Sequence, residues 1–298
     1  MKFTKIALAV AVASAAVAAQ AQTANVTLYG YINTSIESNR GSNATGSKTL
    51  NRMTANSSRF GFRGSESLGG GMNAFFQLEN SFGSDDGSLG GNVMWGREAW
   101  VGLNGGFGEV KVGYGLTPYD DVLGLSHQNI GSTGAQNRNN GVSGGVGFGF
   151  NQLFTNYGRG GTAGCGTDSN FDARAANAIS YKSPNMGGLT IRTMYSLIEE
   201  TSSGNCKLWD TSAVYANGPI TAGLTYAMHK DFRGLGGAAV GAHSENAWRV
   251  YGRYNFGAFR VDAAYDVASY KLATGTLKTK YWDVGAQVPM GAANFGLQ

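Results

Sequence analysis

From Val26 onward, apolar and polar side chains take turns along the chain. One set reads Val26, Leu28, Gly30, Ile32, Thr34 and Ile36, and the set between reads Thr27, Tyr29, Tyr31, Asn33, Ser35 and Glu37. A period of two sends successive side chains to opposite faces of a β-strand. A tilted strand needs about 9–11 residues to cross bilayer hydrocarbon, and Val26 to Glu37 is long enough. Further along, Phe60 and Phe62 oppose Arg59, Gly61 and Arg63, and Ala74, Phe76 and Leu78 oppose Asn73, Gln77 and Glu79. Leu189, Ile191, Tyr195 and Leu197 oppose Thr190, Arg192, Met194 and Ser196. Ile220, Ala222, Leu224, Tyr226 and Met228 oppose Thr221, Gly223 and Thr225. The pattern is sharpest late in the chain. Trp248, Val250, Gly252 and Tyr254 oppose Arg249, Tyr251 and Arg253. Phe259, Val261, Tyr265 and Val267 oppose Arg260, Asp262 and Asp266, and Trp282, Val284 and Val288 oppose Asp283 and Gln287.

Connections between these segments alternate in length. Short ones are expected at Gly69–Gly71, Gly105–Gly108, Pro184–Gly188, Asn217–Pro219, Gly257–Ala258 and Pro289–Ala292. Long polar ones are expected near 38–56, 82–94, 116–172, 199–207, 230–245 and 271–277. Hairpins that cross a membrane produce this asymmetry, with short turns on one side and long loops on the other. The pattern predicts an all-β, transmembrane, antiparallel up-and-down β-barrel, with about twelve strands and the start of a thirteenth. Gln136 to Asn170, rich in Gly and Asn, reads as loop. A soluble β-sandwich or propeller also alternates, but its strands run to about five or six residues. Ten-residue strands with Tyr and Trp near their ends favour the membrane barrel, whose aromatic girdles sit at the two interfaces.

The first 21 residues carry a different signal. Lys2 and Lys5 precede an apolar run from Ile6 to Ala19, and Ala19-Gln20-Ala21 offers the small residues that a signal peptidase reads. The expected organisation is a signal peptide over 1–21 and a barrel over 22–298. Loss of Lys2 and Lys5 takes the net charge from +4 to +2. No later apolar run approaches the roughly 20 residues of a spanning helix. The 47 glycines against 4 prolines suit many strands joined by tight turns. The modest, dispersed charge contains no Lys/Arg block that could follow a phosphate backbone, which argues against nucleic acid as a partner.

Several segments, taken in order, resemble the Gram-negative general diffusion porins, especially their β-proteobacterial branch. Val26-Thr27-Leu28-Tyr29-Gly30 is similar to their opening strand and Ser58-Arg59-Phe60-Gly61-Phe62-Arg63-Gly64 to their second. Gly96-Arg97-Glu98-Ala99-Trp100-Val101-Gly102-Leu103 resembles their fourth strand, and Arg174 to Pro184 their sixth and the turn after it. The resemblance implies a sixteen-stranded homotrimeric channel of the cell outer membrane, with its third external loop folded into the lumen. It would be a passive path for small hydrophilic solutes and ions, set among outer-membrane lipid and lipopolysaccharide. Carried onto this chain, Arg59 and Arg97 match the basic wall of the constriction, with Arg63 and Lys111 beside it. Leu116 to Asp121 matches the start of the third loop, so Asp120 and Asp121 form the implied acidic wall. Arg192, Arg249, Arg253, Arg260 and Asp262 are further lumen residues by their strand faces. Family barrels close on a strand ending in an aromatic residue, whereas this chain stops at Leu297-Gln298, so C-terminal strands are expected to be missing. Family members often carry an arginine where this chain has Tyr114, which leaves only a weak expected lean toward anions.

A transverse field between opposed charges orients dipolar solutes without any catalytic group or cofactor. Enzyme signatures are missing from the sequence. His127, His229 and His243 lack metal-ligand spacing, and the glycines of 144–150 lack the strand–helix context of a dinucleotide site. Asp85-Asp86 reads as solvated loop surface before it reads as a cation bridge to lipopolysaccharide. The alternative from another class is a closed or plugged barrel serving as a structural anchor or adhesin. Cys165 and Cys206, both in expected external segments of an exported chain, are expected to form a disulfide, against the reading of two free thiols. Thiol titration of the unreduced protein checks this: no reactive group is expected, and two would reject the bond.

Overall fold

In the computed structural model, residues 25–43, 46–55, 58–90, 93–126, 171, 174–197, 207–230, 244–272, 275–291 and 293–297 are described. The main ladder begins with β1 (Asn25–Tyr31). A separate hairpin follows, β2 (Thr34–Asn43) and β3 (Gly46–Ala55). Then come β4 (Arg59–Gly69), β5 (Met72–Ser81), β6 (Glu98–Gly105), β7 (Gly108–Leu116) and the helix α1 (Tyr119–Ser126). The chain continues with β8 (Arg174–Lys182), β9 (Leu189–Leu197), β10 (Lys207–Asn217), β11 (Ile220–Lys230) and β12 (Ser244–Asn255). It ends with β13 (Arg260–Leu272), β14 (Gly275–Met290) and the short β15 (Ala293–Leu297).

All these strands except β2 and β3 form one 13-stranded antiparallel sheet in chain order, which matches twelve strands and a short thirteenth. Its connections at 70–71, 106–107, 218–219 and 257–258 fall where glycine turns were expected. At the first of these, Gly69, Gly70 and Gly71 all hold positive φ, a conformation that costs other residues steric strain.

Two expectations change. Val26 to Glu37 is not one strand. The ladder stops at Tyr31, where Ser58 Oγ accepts from the Asn33 amide at 2.9 Å and donates to the Asn33 carbonyl at 3.0 Å. That side chain satisfies both backbone groups of Asn33 and releases the chain from β4. Residues expected as a loop at 38–56 then pair as β2 and β3, from Thr34↔Ala55 to Asn43↔Gly46. Near 271–277 the expected long loop is short, because β13 and β14 stay paired to Leu272↔Gly275. The segments 127–170, 198–206 and 231–243, which hold the Gly/Asn-rich stretch and both cysteines, lie outside the described residues.

Face assignments follow the period of two. Val26, Leu28, Val101, Ile179, Val250 and Trp282 are exposed on one face, the side that the alternation assigns to lipid. Asp210, Ser212, Thr225, Arg249, Asp266 and Asp283 are buried on the other. Aromatic side chains collect toward the short turns on the outer face. Tyr181 donates its hydroxyl to the Phe107 carbonyl at 2.9 Å, and Phe256 stacks on Phe259 at 4.7 Å. A second group, with Trp209 beside Tyr226, lies toward the opposite ends of β10 and β11. Two such belts suit the two membrane interfaces.

Neighbouring residues 249 and 250 test this sidedness. Arg249 is 0% exposed on the inner face, whereas Val250 is 45% exposed on the outer one. Val250→Arg moves a guanidinium into hydrocarbon, at about 2–4 kcal/mol near the midplane. Unfolding by urea in lipid vesicles should show a loss of that size, while Val250→Leu stays close to wild type. Equal stability of the arginine variant would place Val250 off the lipid face.

Candidate functional site: a charged inner wall with a docked helix

The inner face of β9–β13 is a row of polar and small side chains, and α1 lies across it. Gly223 makes room for the helix: a Cβ there would meet Val122 Cγ1 at 2.9 Å and Leu125 Cδ1 at 3.2 Å. Val122 is buried with Tyr251 and Ala264, and Leu125 and Val214 pack around them. The apolar side of a short helix is thus seated on a stretch of inner wall that is small and apolar.

Polar contacts lock both ends of the helix. Asp210, from β10, accepts the Tyr119 amide at 3.1 Å and so occupies the helix N-terminus, where backbone N–H groups have no intrahelical partner. Arg253 donates to the Leu125 carbonyl near the other end, where a cation complements the helix dipole. The Tyr119 hydroxyl donates to Asp266 Oδ1 at 3.1 Å. Burial, with help from the Asp266 carboxylate, pushes the Tyr119 phenol well above its ordinary value, so it keeps the proton it donates. Asp266 also receives Arg249 Nη1 at 2.6 Å, and Arg249 reaches Asp283 at 3.4 Å. Arg249 and Asp266 are fully buried, a place where an ion stays charged only with close partners. Phe171 lies beside Tyr119 and stacks on His229, whose Nδ1 is 3.0 Å from Glu245 Oε1.

Of the two acidic residues expected in the third loop, both fall in the first turn of α1. Asp121 is tied to the wall: Arg192 Nη1 is 2.9 Å from its Oδ1, and Ser212 Oγ donates to its Oδ2 at 2.8 Å. Arg192 also donates to the Leu116 carbonyl, just before the helix. Arg192 therefore holds the loop start, a larger part than a lumen position alone predicts.

Arg59 and Arg97 converge on Glu79. Arg97 Nε is 2.6 Å from Glu79 Oε1 and Arg59 Nε is 3.8 Å from it. Tyr29 donates to the second Glu79 oxygen at 3.1 Å and accepts from Gln77 at 2.9 Å. The Arg59 guanidinium lies over the Tyr31 ring at 4.7 Å, and that of Arg63 over Tyr29 at 5.2 Å. Lys111 sits 4.7 Å above the Trp100 ring and 3.7 Å from Glu109. The structure thus gathers Arg59 and Arg63 of β4 and Arg97, just before β6, in one cluster and ties Asp121 to Arg192 on another part of the wall. Arg253 stands opposite Asp262 in the β12–β13 register and Arg260 opposite Gln287 in the β13–β14 register. Sequence reasoning missed Glu79, Asp210 and Tyr119 as site residues. Glu79 and Asp210 were readable as inward by parity, but nothing local marks which residue meets them. Cys165 and Cys206 lie outside the described residues.

Comparison with known proteins agrees with this architecture. The family model described as Gram-negative porin matches residues 7–298. The chain is 33% identical over 297 residues to outer membrane porin protein 32 of Delftia acidovorans, covering 98% of this chain and 77% of that protein. It is 28% identical to an outer membrane porin protein of Bordetella pertussis, over 81% of this chain and 63% of that one. Among solved structures, the anion-selective porin from Comamonas acidovorans matches with a TM-score of 0.69 and 26% identity, covering 90% of this chain and 75% of that one. Sequence, ladder and inner wall lead to one conclusion: the chain belongs to the Gram-negative porin family, the β-barrel channels of the outer membrane.

Proposed function

We propose that the chain forms a passive, water-filled path for small hydrophilic solutes and ions, narrowed by α1 and lined by unlike charges. It carries no catalytic step. The assembly is a homotrimer, as the resemblance to the general porins implies, surrounded by outer-membrane lipid and lipopolysaccharide. The constriction is formed by Arg59, Arg63, Arg97 and Lys111 on the barrel wall and by Asp120 and Asp121 on the helix. One observation carries the reading: α1 is pinned to the inner wall from both ends and from beneath, through Asp210, Arg253 and the gap at Gly223. A segment so held narrows a lumen without closing it.

A preference for anions is the reading favoured by the cations that remain exposed beside the paired groups. Glu79 is occupied by Arg97, Asp121 by Arg192, and Asp266 and Asp283 by Arg249. Arg63 and Lys182, by contrast, are exposed. The similarity to a porin described as anion-selective supports the same sign.

Two measurements test the reading. Gly223→Leu places a side chain between wall and helix, pushing α1 toward the pore axis. Single-channel conductance in planar bilayers should fall, with ohmic steps retained. Unchanged conductance would mean that α1 does not narrow the path. In a potassium chloride gradient, the reversal potential should carry the sign of chloride preference. Arg97→Ala, which frees Glu79, should shift it toward potassium. A wild-type channel that prefers potassium would reverse the assignment.

A further inference from the structure

Beside α1, toward the short-turn ends of β7–β10, the inner wall encloses a cleft of about 340 Å³. It has room for roughly ten waters' share of liquid volume, enough for a small organic solute. Both signs of charge line it. Glu109 and Lys111 come from β7, Lys182 from β8, Arg192 from β9 and Asp121 from α1, with Val214 of β10 as an apolar patch.

Accessibility divides these groups. Lys111 and Arg192 are largely covered, at 17% and 12% side-chain exposure, while Glu109 and Asp121 are both 31% exposed. The Lys182 side chain is exposed too, and its ammonium forms no ion pair among the described residues. A solute in the cleft therefore meets the exposed Lys182 ammonium and two carboxylates that stay partly accessible while paired, Glu109 with Lys111 and Asp121 with Arg192. Sheet register sets their placement. Lys182 stands directly opposite Glu109 on one side and directly opposite Arg192 on the other. Like charges facing each other across a strand pair destabilise a sheet, and an intervening carboxylate relieves that repulsion.

From this juxtaposition we infer that the cleft is a low-affinity subsite for small zwitterions of the α-amino acid class. The solute's carboxylate lies at Lys182 on the Arg192 side, its ammonium is shared by Glu109 and Asp121, and a short aliphatic side chain rests on Val214. No bond is made or broken. The subsite holds a dipolar solute briefly after it passes α1, in the transverse field of the wall. The inference rests on the channel reading above and names a solute class for that path.

The experiment uses the full chain reconstituted in planar bilayers at neutral pH, with L-norvaline as probe and pentane-1,2-diol as a neutral solute of matched size. Norvaline should produce current fluctuations that saturate with concentration, whereas the diol should act linearly. Lys182→Gln should raise the half-saturating norvaline concentration about fivefold, the loss expected for one exposed charge contact. Glu109→Gln should raise it as well, and Lys182→Arg should restore it. Linear behaviour with norvaline in a conducting channel overturns the subsite and leaves the channel reading standing. Pentanoate saturating as tightly as norvaline, indifferent to Glu109→Gln, overturns the zwitterion class. A chain that gives no ohmic steps overturns the channel, and the subsite with it.

Discussion

Inside hydrocarbon a backbone N–H or C=O has no water to turn to, so each strand must bond laterally to its neighbours along its whole length. This constraint makes the ladder register the controlling variable of the molecule. Once β12 pairs with β13 as Arg249↔Asp266 and Val250↔Tyr265, alternate residues are assigned to lipid and to water together. A slip of one residue would move Arg249 into lipid and Val250 onto the charged wall. Where parity has to change, the strand carries a local device. In β8, Gly113↔Ala178 is followed by Gly115↔Ala175, so two residues stand opposite Tyr114. Asn177 takes up the bulge at φ 51°, and Ala175 and Ala178 are both buried on the inside.

Behind the ladder, the inner wall solves a second problem of the same kind. Its charges are partly withdrawn from water and need partners. Arg249 finds two carboxylates, and one of these, Asp266, also receives the Tyr119 hydroxyl. The network that supplies the buried arginine with partners is therefore also the anchor of α1. By contrast, Asp121 keeps nearly a third of its side chain exposed while bound to Arg192, so water screens that pair. The helix is held most firmly where the wall is driest and less firmly where its own carboxylate stays in contact with water.

Much of this is legible along the chain. Phe60 and Phe62 outside, Arg59 inside, and the aromatic ends of β10–β13 all follow from parity and length. The resemblance located the loop start at Leu116–Asp121, which the structure docks on the inner wall. Other features were not legible. Val26 to Glu37 alternates without a break, and the side chains that hold Asn33 where the pairing ends, Ser58 and Ser84, lie 25 and 51 residues away. Asp210 reads as one more polar residue on a strand until the amide of Tyr119, 91 residues distant, arrives to use it.

Sequence by itself therefore determined which side of each strand is wet, how long the crossings are, and which residue types line the interior. Those properties depend on side-chain parity and hydrophobicity, which are local and repeat every two residues. Tertiary structure alone decided the partners: Glu79 for Arg97, Arg192 for Asp121, Asp210 and Gly223 for α1. Pairing on the wall depends on register between strands and on where a folded-in helix comes to rest. No local pattern encodes a contact between residues that far apart along the chain.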